Sequence, residues 1–270
     1  ARAGTITVVN LPSTKTDLAT GITTNKHYVC AFDFGNNGTT PTINGVPFTH
    51  LDPGNQITTV TNKIDANFGG QVILTCTNSV NHPTSKLART SNAGQGKTSS
   101  QVDGNTLTLL TDLIYIGASS PTYSWIQQEY DNLTIGDNYS LRLYYRYWGN
   151  SVGDRLQDVW FNGEGTWQPY ADNPLDEDAG GAHYIEYDFT ASATNAFCLM
   201  TNLVANGSPM LYGATLEDDS VPYAPFITYQ PSAIGLGNGI YQFNAQAIGT
   251  ASLTYHGIPT ALPATPGRPR

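Results

Sequence analysis

Residues 141–148 alternate between apolar side chains and side chains with binding chemistry. In an extended strand, the second set lies on one face: Arg142, Tyr144, Arg146 and Trp148. Guanidinium groups and aromatic rings in alternation can stack on a sugar ring and hydrogen-bond its hydroxyls. The same alternation is also typical of a ladder of cation–π contacts that stiffens a half-exposed sheet. The segment therefore indicates either a carbohydrate platform or a structural ladder.

A second group of aromatic residues, Trp160, Trp167 and Tyr170, surrounds an Asn-Gly turn signal. Aromatic rings presented by loops offer a large, rigid, amphipathic surface that suits a sugar. Packing of at least one Trp into the core is the alternative. We therefore include these three residues in the candidate carbohydrate site.

The segment 172–178 gathers four carboxylates, at Asp172, Asp176, Glu177 and Asp178. Hard oxygen ligands on one segment suit Ca²⁺, although the spacing is not that of an EF-hand. A solvated acidic loop is the alternative. The sequence thus offers structural Ca²⁺ as the one candidate cofactor.

No spacing typical of a catalytic motif occurs along the chain. The histidines are scattered without a His-Glu-x-x-His pattern, and there is no Gly-x-Ser-x-Gly turn. Glu129, Glu164 and Glu186 are carboxylates of the type that glycosidases use, but the sequence does not bring two of them together. We therefore expect a protein that is not an enzyme.

The elements that must position these residues read as strands. Periodicity two dominates, and no segment of a dozen residues has the apolar spacing of a helix. The predicted strands are 5–9, 28–34, 71–76, 106–110, 113–116, 123–130, 140–148, 156–161, 183–189, 197–201 and 210–216. Asn44-Gly45 and Asn162-Gly163 are predicted to form tight hairpin turns. The polar stretch 79–104 is predicted to be a long loop or an exposed ribbon.

Composition and charge exclude several partners. Only 12% of the residues are charged, and the net charge is −9. A surface of this sign repels nucleic acids and anionic bilayers. The chain has no apolar run of the length that spans a membrane, so neither nucleic-acid binding nor membrane insertion is expected.

The chain contains three cysteines, Cys30, Cys76 and Cys198, which allow at most one internal disulfide. Buried reduced thiols are the simpler interpretation. The first residues, Ala-Arg-Ala-Gly, are similar to the small-residue side of a processed export signal. We therefore expect an extracellular or cell-surface location.

Residues 123–217 carry a resemblance to a known fold. The core strand 139–148, the hairpin segment 155–163, the returning strand 184–189 and the closing strand 209–217 follow one another. This order resembles the back half of the galactose-binding-like jelly-roll domains of secreted and cell-surface bacterial proteins. The resemblance implies an antiparallel jelly-roll-type β-sandwich, and its members include glycan binders and structural modules, so the fold does not choose between them.

The prolines at Pro222 and Pro225 separate a C-terminal segment from the rest. We predict a β-sandwich over residues 1–222 and an extended β segment over residues 223–270. Residues 226–255 resemble the opening strands of the Ig-like repeats that end many secreted bacterial proteins. These strands complete either the main sandwich or the sheet of another chain.

Two functions follow from these features. The first is a self-assembling subunit of an extracellular filament, sheath or layer, in which the C-terminal strands or the strand 5–9 complete the sheet of a neighbouring copy. The alternative is a carbohydrate-binding, lectin-like module whose partner is a polysaccharide.

Overall fold

The computed structural model describes residues 4–35, 39–52, 59–79, 87–91, 102–116, 123–146, 157–170, 182–203, 205, 207–222, 226–237 and 240–248. Its regular elements are almost all β-strands. The strands are β1 Thr5–Leu11, β2 Tyr28–Phe34, β3 Thr42–Ile43, β4 Val46–Pro47, β5 Thr49–Leu51, β6 Thr59–Ile64, β7 Ile73–Asn78, β8 Leu87–Ser91, β9 Asp112–Ile116, β10 Trp125–Asp131, β11 Asn138–Arg146, β12 Gln157–Asn162, β13 Gln168–Tyr170, β14 Ala182–Thr190, β15 Asn195–Asn202, β16 Met210–Leu211, β17 Gly213–Asp218, β18 Phe226–Gly237 and β19 Ile240–Ile248. One short helix, α1 Gly104–Leu109, and two 3₁₀ turns, Thr16–Ala19 and Ala66–Phe68, complete the described elements.

The strands between β1 and β17 form a sandwich. Sheet I has the order β1-β14-β11-β17-β2-β5, and sheet II has the order β13-β12-β15-β10-β7-β6. Neighbouring strands are antiparallel except β2 and β5. A smaller sheet III joins β16, β9 and β8. The prediction of an all-β, sandwich-like fold is confirmed.

The core lies between sheets I and II because their strands alternate. In β10, Ile126, Gln128 and Tyr130 are buried, whereas the residues between them are half-buried. Phe161 of sheet II stacks on Tyr187 of sheet I, with ring centroids 4.9 Å apart. Such interdigitation of two inner faces is how a sandwich buries its apolar residues.

Sheet I differs because its central strands are buried on both faces. Every residue of β2 is buried, as is every residue of β11 from Tyr139 to Arg146. The segment that contains the 3₁₀ turn Thr16–Ala19 lies on the outer face, where Tyr144 donates a hydrogen bond to the carbonyl of Thr20 at 3.0 Å. A second layer on a sheet normally gives strands that are apolar throughout, so the buried polar residues of β11 need partners.

One predicted strand is a helix in the structure. The segment 106–110 was predicted as a strand because Thr and Leu alternate, but residues 104–109 form α1. The side chain of Asp17 accepts hydrogen bonds from the backbone N–H groups of Asn105 and Thr106, at 3.0 and 2.8 Å. This cap comes from a residue remote in sequence, so local periodicity did not reveal it.

The two predicted hairpin turns differ. Asn44 and Gly45 have φ angles of 49° and 87° and join β3 to β4 in a two-residue turn. At the second site, Phe161 pairs with Gln168, so the connection is longer, and the left-handed residue is Gly165 with a φ of 82°. The tight turn predicted at Asn162-Gly163 is therefore wrong.

The chain divides into two compact units, Ala1–Val221 and Pro222–Arg270. In the second unit, β18 and β19 pair with each other as an antiparallel ribbon. The predicted loop or ribbon 79–104 includes β8, which pairs with β9. No helix among the described residues is long and apolar enough to cross a membrane.

Candidate functional site

The face of β11 that was predicted as a carbohydrate platform is buried. Arg142 is 4% exposed, Tyr144 is 1% exposed and Arg146 is not exposed. The segment around Thr20 and Gly21 covers Arg142 and Tyr144, because Tyr144 is bonded to Thr20 and a Cβ at Gly21 would lie 3.4 Å from the Nε of Arg142. These three residues therefore do not form an open platform, and the predicted Trp148 lies outside the described residues.

Arg142 instead holds together a buried group of charges. Its guanidinium forms ion pairs with Glu186 and Glu217. The Nζ of Lys26 lies 2.7 Å from the other oxygen of Glu217, and burial lowers the pKa of Lys26 to about 8. Two acids and two bases thus compensate one another on the outer face of sheet I, as buried charges require.

Cation–π contacts extend this arrangement. The Cζ of Arg142 lies 5.6 Å from the ring centroid of Tyr184, and the Cζ of Arg146 lies 5.7 Å from that of Tyr212. This geometry is that of the structural ladder, which the alternation along β11 also predicted.

Sheet II, in contrast, leaves one face half-exposed, and this face carries aromatic residues. Trp160 of β12, Phe197 of β15 and Trp125 of β10 all point away from the core, as the alternating burial of these strands shows. Trp167, which is 43% exposed, lies beside Phe197 with ring centroids 6.2 Å apart. We call this surface the aromatic face; it consists of Trp125, Gln127, Glu129, Trp160, Trp167, Phe197 and Leu199.

The strand register fixes how the aromatic face is laid out. Trp160 pairs with Leu199, and Leu199 pairs with Gln127, which defines a middle row across three strands. Phe197 and Trp125 lie in the rows on either side of it. A diagonal pair on neighbouring strands is about 7–8 Å apart, so Trp160 and Phe197 are close enough to contact one ligand.

Hydrogen-bonding side chains lie between the aromatic rings. Gln127 and Glu129 occupy the aromatic face of β10, and the side-chain amide of Asn195 donates to Glu129 at 3.0 Å. The charged residues on this face of β10, β12 and β15 are Glu129, Asp131 and Asp158, which are all acidic. The face thus combines apolar rings, amide and carboxylate acceptors and a negative potential.

Most of the remaining predicted site residues, or their side chains, lie outside the part of the chain that the structure describes. Tyr170 ends β13, but its side chain lies outside the described residues. The predicted Ca²⁺ ligands Asp172, Asp176, Glu177 and Asp178 also lie outside them, and Ca²⁺ binding there stays a prediction. The carboxylates Glu129 and Glu186, which were considered as a possible glycosidase pair, lie on different sheets. Glu129 lies on sheet II, whereas Glu186 lies on sheet I in its ion pair with Arg142.

A cavity of about 570 Å³ lies at one end of sheet I. Its lining includes the carboxylates Glu164, Asp188 and Asp219 above the buried rings of Tyr139 and Phe189. The hydroxyl of Ser140 is 2.6 Å from an oxygen of Asp188 and 2.5 Å from an oxygen of Asp219. One hydroxyl has one proton to donate, so the second contact requires a protonated carboxyl. Burial raises the pKa of Asp219, which favours a proton on that residue.

One cluster of potential metal ligands occurs among the described residues, at Asp33, His50 and Asp112. Asp33 and His50 are paired on the parallel strands β2 and β5, and Asp112 begins β9. Burial raises the pKa of Asp33 to about 7. No sequence pattern indicated this cluster, because its members are far apart along the chain and follow no ligand spacing.

The three cysteines are buried and unpaired as disulfides. Cys76 and Cys198 belong to sheet II and Cys30 to sheet I. Burial raises the pKa of all three thiols, which makes them unreactive. The interpretation of the cysteines as buried reduced residues agrees with this geometry.

Sequence reasoning missed part of the aromatic face. Trp125, Gln127 and Phe197 were placed in predicted strands, but their chain positions do not show that they share a surface with Trp160. The period-two pattern assigns each residue to a face of its own strand, whereas the pairing of β10, β15 and β12 decides which faces join.

The fold and the aromatic face define an all-β sandwich with a ligand-sized, half-exposed sheet surface. No protein-family profile matches the chain, and no curated protein matches it. Among solved structures, the chain is similar to the enzymatically active domain of tailspike protein 4 of bacteriophage CBA120, with a TM-score of 0.27 and 11% identity. The match covers 54% of this chain and 18% of the tailspike chain. A similarity of this size assigns neither a family nor an activity.

Proposed function

We propose that the protein binds a neutral polysaccharide through the aromatic face, without cleaving it. The observation that carries this proposal is the presence of one aromatic side chain on each of three adjacent strands, at Trp160, Phe197 and Trp125. All three lie on the half-exposed side of sheet II. Polysaccharides are extracellular ligands, so the proposal agrees with the predicted extracellular or cell-surface location.

The spacing of the rings supports a chain-like ligand. With strands about 4.8 Å apart and a rise of about 3.3 Å per residue, Trp160 and Trp125 are about 12 Å apart. An extended sugar chain offers successive apolar ring faces at intervals of this kind, whereas a single small ligand would not span them. Gln127, which follows Trp125 on the same face of β10 and lies in the row of Trp160, is available to hydrogen-bond sugar hydroxyls.

The charge of the aromatic face supports a neutral ligand. Glu129, Asp131 and Asp158 are acidic, and none of the described side chains on this face of β10, β12 and β15 is basic. Sulfated or uronic-acid polysaccharides would meet like charges there. Carboxylates do accept hydrogen bonds from sugar hydroxyls, so acidic residues suit an uncharged glycan.

Affinity electrophoresis in gels that contain neutral polysaccharides tests this proposal. We expect the wild-type protein to be retarded by at least one neutral polysaccharide, and Trp160→Ala and Trp167→Ala to lose most of that retardation. Leu18→Ala is the control, because Leu18 is 77% exposed on the segment that covers sheet I. Incubation with the retarding polysaccharide should release no new reducing ends.

The proposal fails if both Trp variants migrate like the wild type in every retarding gel, or if retention follows anionic polysaccharides instead. Repeating the gels with a Ca²⁺ chelator separately tests the ion predicted at 172–178.

A second proposal, self-association through the C-terminal unit, is favoured by the ribbon of β18 and β19. Among the described residues these two strands pair only with each other. An isolated two-stranded ribbon is marginally stable, and a third strand from another copy would stabilise it. The strand 5–9, predicted as an alternative donor, is β1, which pairs with β14 of its own chain along its whole length.

Analytical ultracentrifugation and electron microscopy of the full chain, beside a variant that ends at Val221, test the second proposal. We expect assemblies from the full chain and monomers from the shortened variant. A full chain that stays monomeric at high concentration contradicts it.

A further inference from the structure

A corner of sheet I brings together three side chains that bind metal ions in many proteins. Asp33 and His50 are direct partners on β2 and β5, so their side chains leave the sheet on the same face. Asp112 reaches the same point from the start of β9 in sheet III. One ligand atom from each residue lies within 4.8 Å of the other two.

Because this cluster is buried, an ionised carboxylate in it is energetically unfavourable unless a cation lies beside it. Asp33 and Asp112 are not exposed at all, and the His50 side chain is 21% exposed. The fully buried Asp33 faces the partly exposed imidazole of His50. An ionised carboxylate in such a place is strongly disfavoured unless it is paired or coordinates a metal.

The carboxylate of Asp33 is the group in this cluster whose buried charge is least well balanced. Within the part of the chain that the structure describes, neither of its carboxylate oxygens has a hydrogen-bond partner. Its closest ion-pair contact, to the Nδ1 of His50, is 3.8 Å long and is thus too long for a hydrogen bond.

The same distance fits two ligands of one ion. Nitrogen and oxygen ligands lie about 2.1 Å from Zn²⁺, so two ligands of a tetrahedral ion are about 3–4 Å apart. The 3.8 Å between Asp33 and His50 lies in this range. Asp112 places a third ligand atom within 4.8 Å of those of Asp33 and His50. The site also depends on Gly35, because a Cβ there would lie 2.5 Å from a carboxylate oxygen of Asp112.

The donor atoms define the class of ion. One imidazole and two carboxylates are a mixed set that suits Zn²⁺ and Mn²⁺, whereas Ca²⁺ prefers six or more oxygen ligands. Two carboxylates and a neutral histidine balance the charge of a divalent ion. Three protein ligands leave a fourth position for water.

We propose that Asp33, His50 and Asp112 bind one divalent transition-metal ion, with Zn²⁺ preferred over Mn²⁺ and both preferred over Ca²⁺. The ion connects sheet I to sheet III. This site shares no residue with the aromatic face or with the Ca²⁺ site predicted from the sequence.

Calorimetric titration of chelator-treated full-length protein with Zn²⁺, Mn²⁺ and Ca²⁺ tests the proposal. We expect one Zn²⁺ per chain, and His50→Gln should weaken it by at least about tenfold, the scale that even losses in the outer shell reach. His27→Gln is the matched control, because His27 is an exposed histidine outside the cluster. Circular dichroism verifies that each variant is folded.

A measurement on the wild type removes the dependence on folding of the variants. Zn²⁺ should protect His50, and not His27, from modification by diethyl pyrocarbonate, as read by peptide mass spectrometry. The proposal is overturned if the wild type binds no stoichiometric Zn²⁺. It is overturned equally if Zn²⁺ leaves the modification of His50 unchanged, or if folded His50→Gln binds Zn²⁺ as the wild type does. None of these three results depends on polysaccharide binding.

Discussion

At the scale of the residue, the most informative position is Arg142. The alternation along β11 correctly places Arg142, Tyr144 and Arg146 on one face, but this face is inside the protein. A guanidinium that is buried needs carboxylates, and Glu186 and Glu217 supply them from the two neighbouring strands. Residues that looked suited to a ligand therefore serve the fold.

Replacement of Arg142 by Met should destabilise the protein strongly. The change leaves Glu217 buried with Lys26 as its remaining base, and loss of one partner from a buried ion pair costs about 3–5 kcal/mol. Urea denaturation measures the free energy of unfolding. Lys63→Met is the control, because Lys63 is exposed on β6. Equal, small effects of the two substitutions would contradict a compensating role for Arg142.

The Ser140 hydroxyl contacts both Asp188 and Asp219, and this arrangement predicts that stability depends on pH. The pKa of Asp219 is raised in the folded protein above its ordinary value of 3.8. The stability that its proton contributes is therefore complete below pH 3.8 and is lost as the pH rises through the folded-state pKa. In Asp219→Asn, the amide can donate to Ser140 at every pH, so this loss should disappear.

Urea denaturation between pH 4 and 7 measures this effect as the difference in free energy of unfolding between Asp219→Asn and the wild type. We expect the difference to increase with pH in favour of the variant. Asp137→Asn removes one negative charge from the neighbouring turn and serves as the control. A difference that stays constant with pH would show that Asp219 carries no shifted proton.

At the scale of the element, two short helical segments cap each other. Asp17, in the 3₁₀ turn Thr16–Ala19, accepts from the first N–H groups of α1. Asp103, immediately before α1, accepts from the N–H groups of Lys15 and Thr16, at 2.8 and 2.7 Å. Gly104 allows this approach, since it has a φ of 66° and a Cβ there would lie 2.7 Å from Asp17. The pair fixes the segment that covers Arg142 and Tyr144.

Loss of the first cap should have a measurable cost. Asp17→Ala is expected to lower the free energy of unfolding by about 0.5–2 kcal/mol, the usual range for a cap. Asp17→Asn should lose less, because its carbonyl oxygen still accepts. The double change with Asp103→Ala should cost less than the sum of the single changes, since both caps hold the same two segments. Strict additivity in thermal or urea denaturation would argue against reciprocal capping.

At the scale of the whole molecule, sheets I and II enclose a common core while their outer faces have different roles. The outer face of the central strands of sheet I is covered and charged, and that of sheet II is half-exposed and aromatic. A binding surface is available only where the fold leaves a face without a covering layer. The proposed carbohydrate site therefore belongs to sheet II.

The enclosed core makes a prediction about the thiols. Cys30, Cys76 and Cys198 are not exposed. We expect an aromatic disulfide reagent to detect no thiol in the native protein and three in guanidinium chloride. A reducing agent should leave the melting temperature unchanged. Rapid reaction of any thiol in the native state would contradict a closed core.

The sequence alone determined the all-β class of this chain and the positions of most of its longer strands. Strand β2 spans 28–34 as predicted, and the Asn44-Gly45 turn is where two left-handed residues are tolerated. These features depend on neighbouring residues along the chain, so periodicity and turn chemistry reveal them. The helix at 104–109 escaped prediction because its cap is Asp17, a residue remote in sequence.

Only the tertiary structure decided which strand faces meet, which are covered and which remain accessible. Alternation assigns Arg142 and Trp160 to one side of their strands, but it does not say what lies against that side. Packing of the segment around Thr20 buried the first, and pairing of β12 with β15 joined the second to Phe197. Contacts between residues far apart in sequence likewise assemble Asp33, His50 and Asp112. Long-range packing, which a local pattern does not encode, therefore selects the sites.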